Sequence, residues 1–260
     1  MSVINVRHPH VRSFGLAGKV VILDEVHSYD AYTGTLLDVL VKHLRALGCT
    51  VIILSATLTK SRLHAFVEND ELSGEAYPLI TSVNSRGVTE SSVEQGKADA
   101  DVRLCIGIED AAAVEEALLR AEQGQQVLWI ENTVKEAQAL FKPVSARAQA
   151  SEMDIEVGLL HSRFTPSDRQ RNEARWTGLY GKASEGRSQC GRILIGTQVL
   201  EQSLDIDADF LVTRICPTDM LFQRMGRLWR HEGTARPAEA RRECWVLSPA
   251  LKEAYEKLEL

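Results

Sequence analysis

Residues 20–27 read VVILDEVH, and this arrangement indicates the fold of the chain most directly. Four consecutive aliphatic residues predict a short strand that is buried within a sheet. The strand ends directly in two carboxylates, Asp24 and Glu25. A second aliphatic run, residues 50–54, follows a stretch with leucines at helical spacing over residues 35–47. Two buried strands joined by an amphipathic helix predict a parallel α/β layer.

The same alternation continues over the rest of the chain, so we predict an α/β fold with parallel sheets. Further strands are predicted at residues 78–83, 102–108, 126–130, 155–160, 192–195, 210–213 and 243–247, with helices at 60–68, 111–122, 134–148 and 167–176. A polar stretch without periodicity predicts a linker. The predicted domains are residues 1–85 and 101–248, with the linker at 86–100 and a tail at 249–260.

Composition narrows the class of protein. The 260 residues include 30 Lys and Arg against 36 Asp and Glu, a net charge of −6, with 44% hydrophobic residues. These values exclude a disordered, collagenous or coiled-coil chain and a wholly basic coat protein. Five cysteines without a CxxC pair argue against a zinc ribbon or a disulfide framework. The first residues lack a signal-peptide run and no aliphatic run is long enough to span a bilayer, so we expect a soluble cytoplasmic protein.

Polar residues follow the first two predicted strands. Asp24 suits a water-mediated hold on nucleotide-bound Mg²⁺, and Glu25 suits a base that orients the attacking water. A solvated loop is the alternative, and the following His27 brings the two interpretations to about equal weight. Ser55 and Thr57 in the sequence LSAT (54–57) could bond to neighbouring loops. Taken alone, they are better explained as helix caps.

Three further clusters place small polar donors at strand ends, where phosphates are commonly held. Asn132 and Thr133 follow one strand and Arg163 follows another. Thr197 could donate to a nucleic-acid phosphate, and Asp205 could accept a hydrogen bond from a ribose hydroxyl or a nucleotide-bound water. Ordinary capping, with a surface position for the aspartate, explains each cluster equally well.

The last cluster reads QRMGRLWRH over residues 223–231. Arg227 and Arg230 are three residues apart, which predicts neighbours on one helical face that could reach a γ-phosphate. Gly226 would let another surface approach. A solvated basic helix is the alternative, but it assigns no role to Gln223 or Gly226.

The clusters occur in the order DExH, SAT, NTV, GTQ…D and QRxGRxxR, which resembles motifs II to VI of superfamily 2 helicases. The stretches RSFGLAGK (12–19), DEVHSYDAY (24–32), LHSRF (160–164) and QVLEQSLD (198–205) resemble one family more closely. That family is the CRISPR-associated helicase–nuclease of type I systems. Nearly the whole chain shares this resemblance. It implies RecA-like lobes, the first of them incomplete, and ATP-driven 3′ to 5′ movement along single-stranded DNA in antiviral defence.

The resemblance also implies a role for each residue, with ATP and Mg²⁺ as cofactors. Asp24 would be the Mg²⁺ carboxylate and Glu25 the catalytic base. His27 and Gln223 would couple the two lobes around ATP. The remaining roles are coupling of hydrolysis to DNA movement (Ser55, Thr57), positions near the DNA backbone (Asn132, Thr133, Arg163, Thr197), nucleotide contacts (Asp205, Gly226) and contact with the transferring phosphate (Arg227, Arg230).

The sequence departs from the family in two places. Nothing before residue 20 could hold the family's N-terminal nuclease with its His-Asp metal site. The P-loop Gly-x-x-x-x-Gly-Lys-[Ser/Thr] is missing, since Gly18-Lys19 and Gly181-Lys182 have neither its spacing nor its hydroxyl. We therefore expect residues 1–85 to pack poorly alone or to pair with another chain, whereas residues 101–248 should fold alone.

Three functional interpretations remain open. The first is the motor of a DNA-translocating ATPase in CRISPR interference, with single-stranded DNA and the Cascade complex as partners. Its chain would be truncated or split and would need a separate chain for nuclease and P-loop. The second is a non-catalytic module that binds DNA or docks on Cascade. The third is another superfamily 2 helicase.

A local basic groove would have to bind the DNA, because the net charge is negative. Its candidate residues are Arg163, Arg169, Arg171, Arg175, Arg224 and Arg230. For Arg169 and Arg171 a solvated helix face is favoured.

Overall fold

The structure, a computed structural model, describes residues 9–26, 31–55, 58–67, 72, 76–94, 101–182, 187, 190–202 and 204–248. The chain divides into two compact units, Met1–Asp99 and Ala100–Leu260. Within the described ranges, no helix is long and apolar enough to cross a membrane.

The first unit contains a two-stranded parallel sheet and a separate hairpin. Its helices are Pro9–Leu16 (α1), Ala31–Ala46 (α2) and Lys60–Val67 (α3), and its strands are Val20–Leu23 (β1), Thr50–Ile53 (β2), Leu79–Asn84 (β3) and Gly87–Ser92 (β4). β1 pairs in parallel with β2, as the sequence predicts for strands joined by a helix. α2 packs its apolar stripe against this sheet, around a core that includes Leu37, Val41 and Phe66.

The hairpin β3–β4 differs from the sequence-based prediction, which assigns residues 87–92 to a linker. β4 pairs antiparallel with β3 from Leu79↔Ser92 to Asn84↔Gly87. The turn is built locally, because the Asn84 side chain accepts a hydrogen bond from the Arg86 N–H at 2.8 Å. Gly87 adopts φ 126°, a conformation that favours glycine. The sequence NSRG at residues 84–87 is the signal for this turn.

β1 and β2 are less buried than their aliphatic sequences predict. Along both strands the side chains alternate between exposed and half-buried. Val20 and Ile22 on β1 and Ile52 on β2 are exposed. The prediction of fully buried strands is therefore wrong for one face of this sheet, within the residues that the structure describes.

The second unit contains one six-stranded parallel sheet in the order β5-β10-β9-β6-β8-β7. Its strands are Arg103–Ile108 (β5), Gln126–Ile130 (β6), Ile155–Leu160 (β7), Gly191–Gly196 (β8), Phe210–Arg214 (β9) and Glu243–Leu247 (β10), and its helices are Asp110–Glu122 (α4), Val134–Ala150 (α5), Pro166–Tyr180 (α6), Val199–Gln202 (α7) and Thr218–Met225 (α8). All six strands occur where the alternation of the sequence predicts them.

Helices cover both faces of this sheet. One core layer includes α4 and α5 residues packed on Val127 and Trp129, and the other includes α6, α7 and α8 residues packed on Leu128 and Leu194. Every residue of β6 and β8 is buried. At Gly191 a Cβ atom would lie 1.6 Å from the Ala121 carbonyl oxygen, so only glycine allows α4 to approach this closely. The double cover explains why these strands are aliphatic throughout.

Candidate functional site

In the first unit, the predicted carboxylates stand at the carboxyl end of β1, beside the end of β2. The Asp24 carboxylate accepts a hydrogen bond from the Glu25 N–H at 2.9 Å. Glu25 has φ 54°, a left-handed conformation that is uncommon outside glycine. The chain therefore turns sharply after β1 and presents both carboxylates to solvent. Ser55 follows β2 at the same edge and is half-buried. His27 and Thr57 lie outside the described residues.

In the second unit, the loops after β6, β8 and β9 meet at the carboxyl edge of the sheet. Thr133 is the N-cap of α5: its hydroxyl accepts from the Glu136 N–H at 3.2 Å and donates to the Glu136 carboxylate at 2.7 Å. The Asn132 amide donates to the Ile215 carbonyl oxygen at 2.9 Å. Both side chains stay exposed, but these hydrogen bonds tie the loop to the protein itself.

Arg224 lies at the centre of this edge, and its prediction as a groove cation is wrong. Its side chain is fully buried and donates to the Glu201 carboxylate at 2.8 Å. It also donates to the Asn132 amide oxygen at 3.1 Å and to the Thr213 hydroxyl at 2.6 Å. Burial raises the pKa of Glu201, while the Arg224 guanidinium opposes this shift. A cation that is buried and paired in this way is not available to a DNA backbone.

The two later arginines of this cluster are not neighbours on one helical face, which corrects that prediction. α8 ends at Met225 and the chain then leaves the helix. Its backbone forms a bridge to residue 208, in which the Ala208 N–H donates to the Arg227 carbonyl oxygen at 2.8 Å. These tertiary hydrogen bonds replace the next helical turn.

Arg227 and Arg230 consequently face different surroundings. The buried Arg227 guanidinium donates to the Leu204 carbonyl oxygen at 2.6 Å and to the Glu201 carbonyl oxygen, so it caps the segment that follows α7. Arg230 forms an ion pair with Asp205 at 2.9 Å, and its side chain is 40% exposed. His231 Nε2 lies 3.1 Å from the same Asp205 oxygen. The structure thus brings together Asp205 and Arg230, two of the predicted site residues.

Gly226 is the C-cap of α8, with φ −63°. A Cβ atom there would have its nearest contact with the Gln223 carbonyl oxygen, at 3.2 Å, and its next contacts would be with backbone atoms of the same helix. Within the described part of the chain, only atoms of its own helix lie near this position, and the approach of another surface to Gly226 stays a prediction. Gln223 is half-buried on the same helix.

The remaining DNA candidates divide into exposed and buried groups. Thr197 is buried at the end of β8. Arg163 is exposed, and its N–H lies 3.2 Å from Nδ1 of the buried His161. Burial lowers the pKa of His161, so this imidazole is neutral at pH 7 and can accept that hydrogen bond. His161 also stacks on Phe164 with ring centroids 4.4 Å apart, which fixes the loop that carries Arg163.

The arginines of α6 form local ion pairs. Arg169 pairs with Glu173 at 2.6 Å and Arg171 pairs with Asp168. Arg175 contacts Glu156 on β7. A solvated helix face describes this group better than a DNA groove does.

One buried charged cluster was not predicted from the sequence. Asp207 and Asp209, which precede β9, are fully buried. Arg236 binds both oxygens of Asp207 at 2.8 Å each and also contacts Asp209. Asp207 accepts the Arg230 N–H at 2.9 Å. The signal that could have found it is the alternation of aspartate with apolar residues over residues 205–209, DIDAD.

The residues present fit a magnesium nucleotide in part. Carboxylate oxygens such as those of Asp24 are the ligands that Mg²⁺ prefers, and arginines such as Arg230 suit phosphate. Among the described residues, no group of three or more His, Cys, Asp or Glu could hold a metal by itself. At most two of these side chains, together with nucleotide oxygens and water, would therefore hold the ion.

The fold and the edge loops define the class. A parallel sheet covered by helices on both faces, with the polar clusters at its carboxyl edge, is the architecture of a RecA-like fold. A Mycobacterium smegmatis helicase Lhr structure aligns over 92% of this chain and 30% of its own, with TM-score 0.56 and 19% identity, and it supports the fold alone.

Sequence and structural comparisons then identify the family. The family model "CRISPR-associated nuclease/helicase Cas3, C-terminal" matches residues 123–233. The CRISPR-associated endonuclease/helicase Cas3 of Escherichia coli is 36% identical over 92% of this chain. The Cas3 of Thermus thermophilus is 34% identical over 92%. The chain belongs to the Cas3 family, and it spans 28% and 30% of the lengths of these two curated relatives.

Solved structures agree with this assignment. The crystal structure of T. fusca Cas3 aligns with TM-score 0.86 and 33% identity over 98% of this chain and 32% of its own. The T. fusca Cas3–ATP structure aligns with TM-score 0.84 and 32% identity over the same shares. A chain of a CRISPR RNA-guided surveillance complex, pre-nicking, aligns with TM-score 0.81 and 32% identity over 98% of this chain and 34% of its own.

Proposed function

We propose that this chain acts in type I CRISPR interference as part of an ATP-driven motor on single-stranded DNA. The observation that carries the proposal is the exposed Asp24–Glu25 pair, held at the end of β1 by the sharp turn at φ 54°. In a chain of this family, such a pair suits metal–nucleotide hydrolysis. The relative solved with ATP supports a nucleotide as ligand.

The carboxylates of Asp24 and Glu25 would have different roles in hydrolysis. Asp24 would hold Mg²⁺ through water and nucleotide oxygens. Glu25 would orient the attacking water and accept its proton. Bound ATP would supply the phosphoanhydride bond whose hydrolysis drives movement. Arg230, whose present partner Asp205 is exposed with it, would neutralise charge on the transferring phosphate, and Asp205 would then be free for a ribose hydroxyl.

Other residues would transmit or assist this chemistry. Arg227 would reach the phosphate only after leaving the carbonyl oxygens of residues 201 and 204. The remaining roles are coupling of nucleotide to both units (His27, Gln223), coupling of hydrolysis to DNA movement (Ser55, Thr57) and a position near the nucleotide (Gly226).

The phosphate cradle must come from outside these 260 residues, because their sequence contains no P-loop. A preceding segment or a separate chain that also carries a nuclease would supply it.

Single-stranded DNA is the proposed track, with Arg163 as its best-supported contact. Arg163 is exposed on a loop fixed by His161, whereas Asn132 and Thr133 would contact DNA from a loop that is tied to the sheet. Thr197 would act from its buried place at the end of β8. If phosphate contacts dominate, affinity should fall steeply with added salt.

The Cascade complex is the proposed partner, supported by the likeness to a chain of a surveillance complex. The action would take place in the cytoplasm, in keeping with five free cysteines.

A second function is a non-catalytic module that binds DNA or Cascade. Two observations favour it for this chain by itself. The P-loop is absent from the sequence, and the Arg227 guanidinium is buried against protein carbonyl oxygens. This alternative predicts DNA binding without ATP turnover.

The deciding experiment measures ATP hydrolysis by the chain combined with a preceding segment or separate chain that supplies the P-loop, with and without single-stranded DNA. Glu25→Gln should abolish DNA-stimulated turnover. Glu152→Gln is the matched control, because Glu152 is also exposed and has φ 52° in a turn of the second unit. Turnover that survives Glu25→Gln would refute the assignment of the base. DNA binding with no turnover would support the non-catalytic module.

A further inference from the structure

Four segments of the second unit meet at the Arg224 guanidinium. It contacts the Glu201 carboxylate on α7, the Thr213 hydroxyl on β9 and the Asn132 amide oxygen after β6. It also donates to the Arg214 carbonyl oxygen at 3.2 Å. Since Arg224 itself belongs to α8, one side chain connects the segments after β6 and β8 and the end of the adjacent strand β9 with this helix.

The two charged groups at the centre of this connection are buried. The side chains of Arg224 and Glu201 are 0% and 1% exposed. The second carboxylate oxygen of Glu201, Oε2, is buried and has no hydrogen-bond partner within the described residues. A buried ion pair with an unsatisfied oxygen is a poor source of stability, because desolvation offsets much of its attraction. The pair is better explained by the arrangement it enforces than by the free energy of unfolding.

Glu201 carries the connection further along the chain. Its side chain binds Arg224, while its backbone carbonyl oxygen accepts a hydrogen bond from Arg227. Arg227 also binds the Leu204 carbonyl oxygen, directly before Asp205. A continuous path of hydrogen bonds therefore runs from the Asn132 amide to the segment that precedes Asp205.

We propose that Arg224 is a positioning residue that locks the Asn132 amide to the α7 segment. Through it, a contact made by the loop after β6 would change the positions of Arg227 and Asp205. The locking itself follows from the contacts. Its consequence, that DNA binding controls ATP hydrolysis, rests on the function proposed above.

The planar fork of arginine is essential to this role. A guanidinium can reach Glu201, Thr213 and Asn132 at the same time, whereas a lysine ammonium is a single point charge. Arg224→Lys would keep a charge for Glu201 and lose the bond to the Asn132 amide. Arg120→Lys is the matched control, because Arg120 is a buried arginine paired with Glu243 at 2.6 Å, near the other end of the strands.

The first measurement is amide hydrogen exchange of the full chain. In Arg224→Lys, exchange over residues 130–134 and 197–205 should accelerate by about tenfold relative to the wild type, with the rest of the second unit unchanged. Arg120→Lys should leave those two segments at the wild-type rate. Asn132→Ala should accelerate residues 197–205 as well, and the double variant should add little to either single change. Uniform acceleration across the unit in Arg224→Lys, or fully additive effects, would overturn the proposal.

The second measurement is the ratio of DNA-stimulated to basal ATP hydrolysis. Arg224→Lys should lower this ratio by about tenfold, within the usual range for coupling between sites. An unchanged ratio beside accelerated exchange would overturn the link from DNA to hydrolysis. If the wild-type chain hydrolyses no ATP even with the P-loop part supplied, the proposed motor function fails, and the exchange result still decides the positioning role of Arg224.

Discussion

The strands β1 and β6 have similar aliphatic sequences and very different surroundings. Val20 and Ile22 on β1 are 64% and 60% exposed, whereas every residue of β6 is buried. β6 lies between β8 and β9 with helices on both faces, while the described pairing of β1 is to β2 alone. An aliphatic run therefore reports that a strand is suited to burial on both faces, and the neighbouring elements decide how much of that burial occurs.

This difference predicts that the first unit opens well before the second. Cys49 is half-buried in the first unit, and Cys244 is fully buried in the second, where desolvation raises its pKa to about 12. In a urea series, a thiol reagent at pH 8 should modify Cys49 faster than Cys244 by about 100-fold.

Limited proteolysis should likewise cut within residues 1–99 first and leave a fragment of the second unit. The variant Cys49→Ser assigns the fast signal. Trimming of the second unit before the first, or simultaneous labelling of both thiols, would contradict the contrast between the units.

Truncation of one strand residue in each unit tests the contrast in free energy. Leu194 in β8 is 0% exposed, so Leu194→Ala should lower the free energy of unfolding by about 2–5 kcal/mol through lost burial and a cavity. Ile22→Ala removes a mostly exposed side chain and should cost about 0.5 kcal/mol. Chemical denaturation of both variants gives the two values. Equal losses would mean that β1 is covered in solution.

Two ion pairs, one in each unit, allow the units to be compared by the free-energy cost of removing one charge. Glu243 has a side chain that is 6% exposed and accepts from Arg120, which also pairs with Glu116. Glu243→Gln removes the more buried of these two carboxylates and should cost about 1.5–3 kcal/mol, the usual range for a hydrogen bond to a charged group. Asp38 and Arg62 in the first unit are 30% and 27% exposed, and Asp38→Asn should cost less than about 1 kcal/mol. Denaturation of both variants at pH 7 compares them.

The Glu243–Arg120 ion pair also predicts how the stability of the second unit depends on pH. Burial raises the pKa of Glu243, but hydrogen bonds from Arg120, Trp245 and Cys105 outweigh it and leave the pKa below its ordinary value of 4.5. The folded state therefore favours the carboxylate, and its contribution is complete above pH 4.5 and is lost as the pH falls through the lower folded value. Glu243→Gln should remove this part of the acid sensitivity. An unchanged acid profile in the variant would argue against the hydrogen-bonded carboxylate.

Substitution of either of two helical glycines by alanine should change the free energy of unfolding least. A Cβ atom added at Gly178 in α6 would meet no atom within 4 Å, so Gly178→Ala should stabilise the second unit by about 0.5–1 kcal/mol through backbone entropy. At Gly34 in α2 the same Cβ would lie 3.0 Å from Arg62, whose guanidinium donates to the Gly34 carbonyl oxygen. Gly34→Ala should therefore gain less than Gly178→Ala. Thermal unfolding measures both, and the reverse order would show that Arg62 yields freely.

The predictable parts of the site are those that depend on local chemistry. Thr133 is followed three residues later by Glu136, and this capping pattern in the sequence is what the structure contains. Arg169 and Arg171 are predicted to lie on a solvated helix face, and both pair with acids of their own helix. Such interactions depend on residues three or four positions apart, so spacing alone identifies them.

The errors come from long-range contacts. Arg227 and Arg230 have helical spacing, but the hydrogen bonds to residue 208 compete successfully with a further helical turn. Arg224 resembles an exposed cation in sequence, and its partner Glu201 is 23 residues away. The roles predicted for the site residues in nucleotide and DNA binding stay predictions.

The sequence by itself determined the α/β class, the positions of every strand except β4 and the Cas3 family, because aliphatic periodicity and the order of short motifs are properties of the chain. Only the tertiary structure decided which charged groups face solvent. Asp24 and Glu25 are exposed, while Arg224, Arg227 and Asp207 are buried in pairs and networks. The physical reason is that a charge is buried only where a partner from a distant segment compensates its desolvation, and spacing along the chain does not specify that partner.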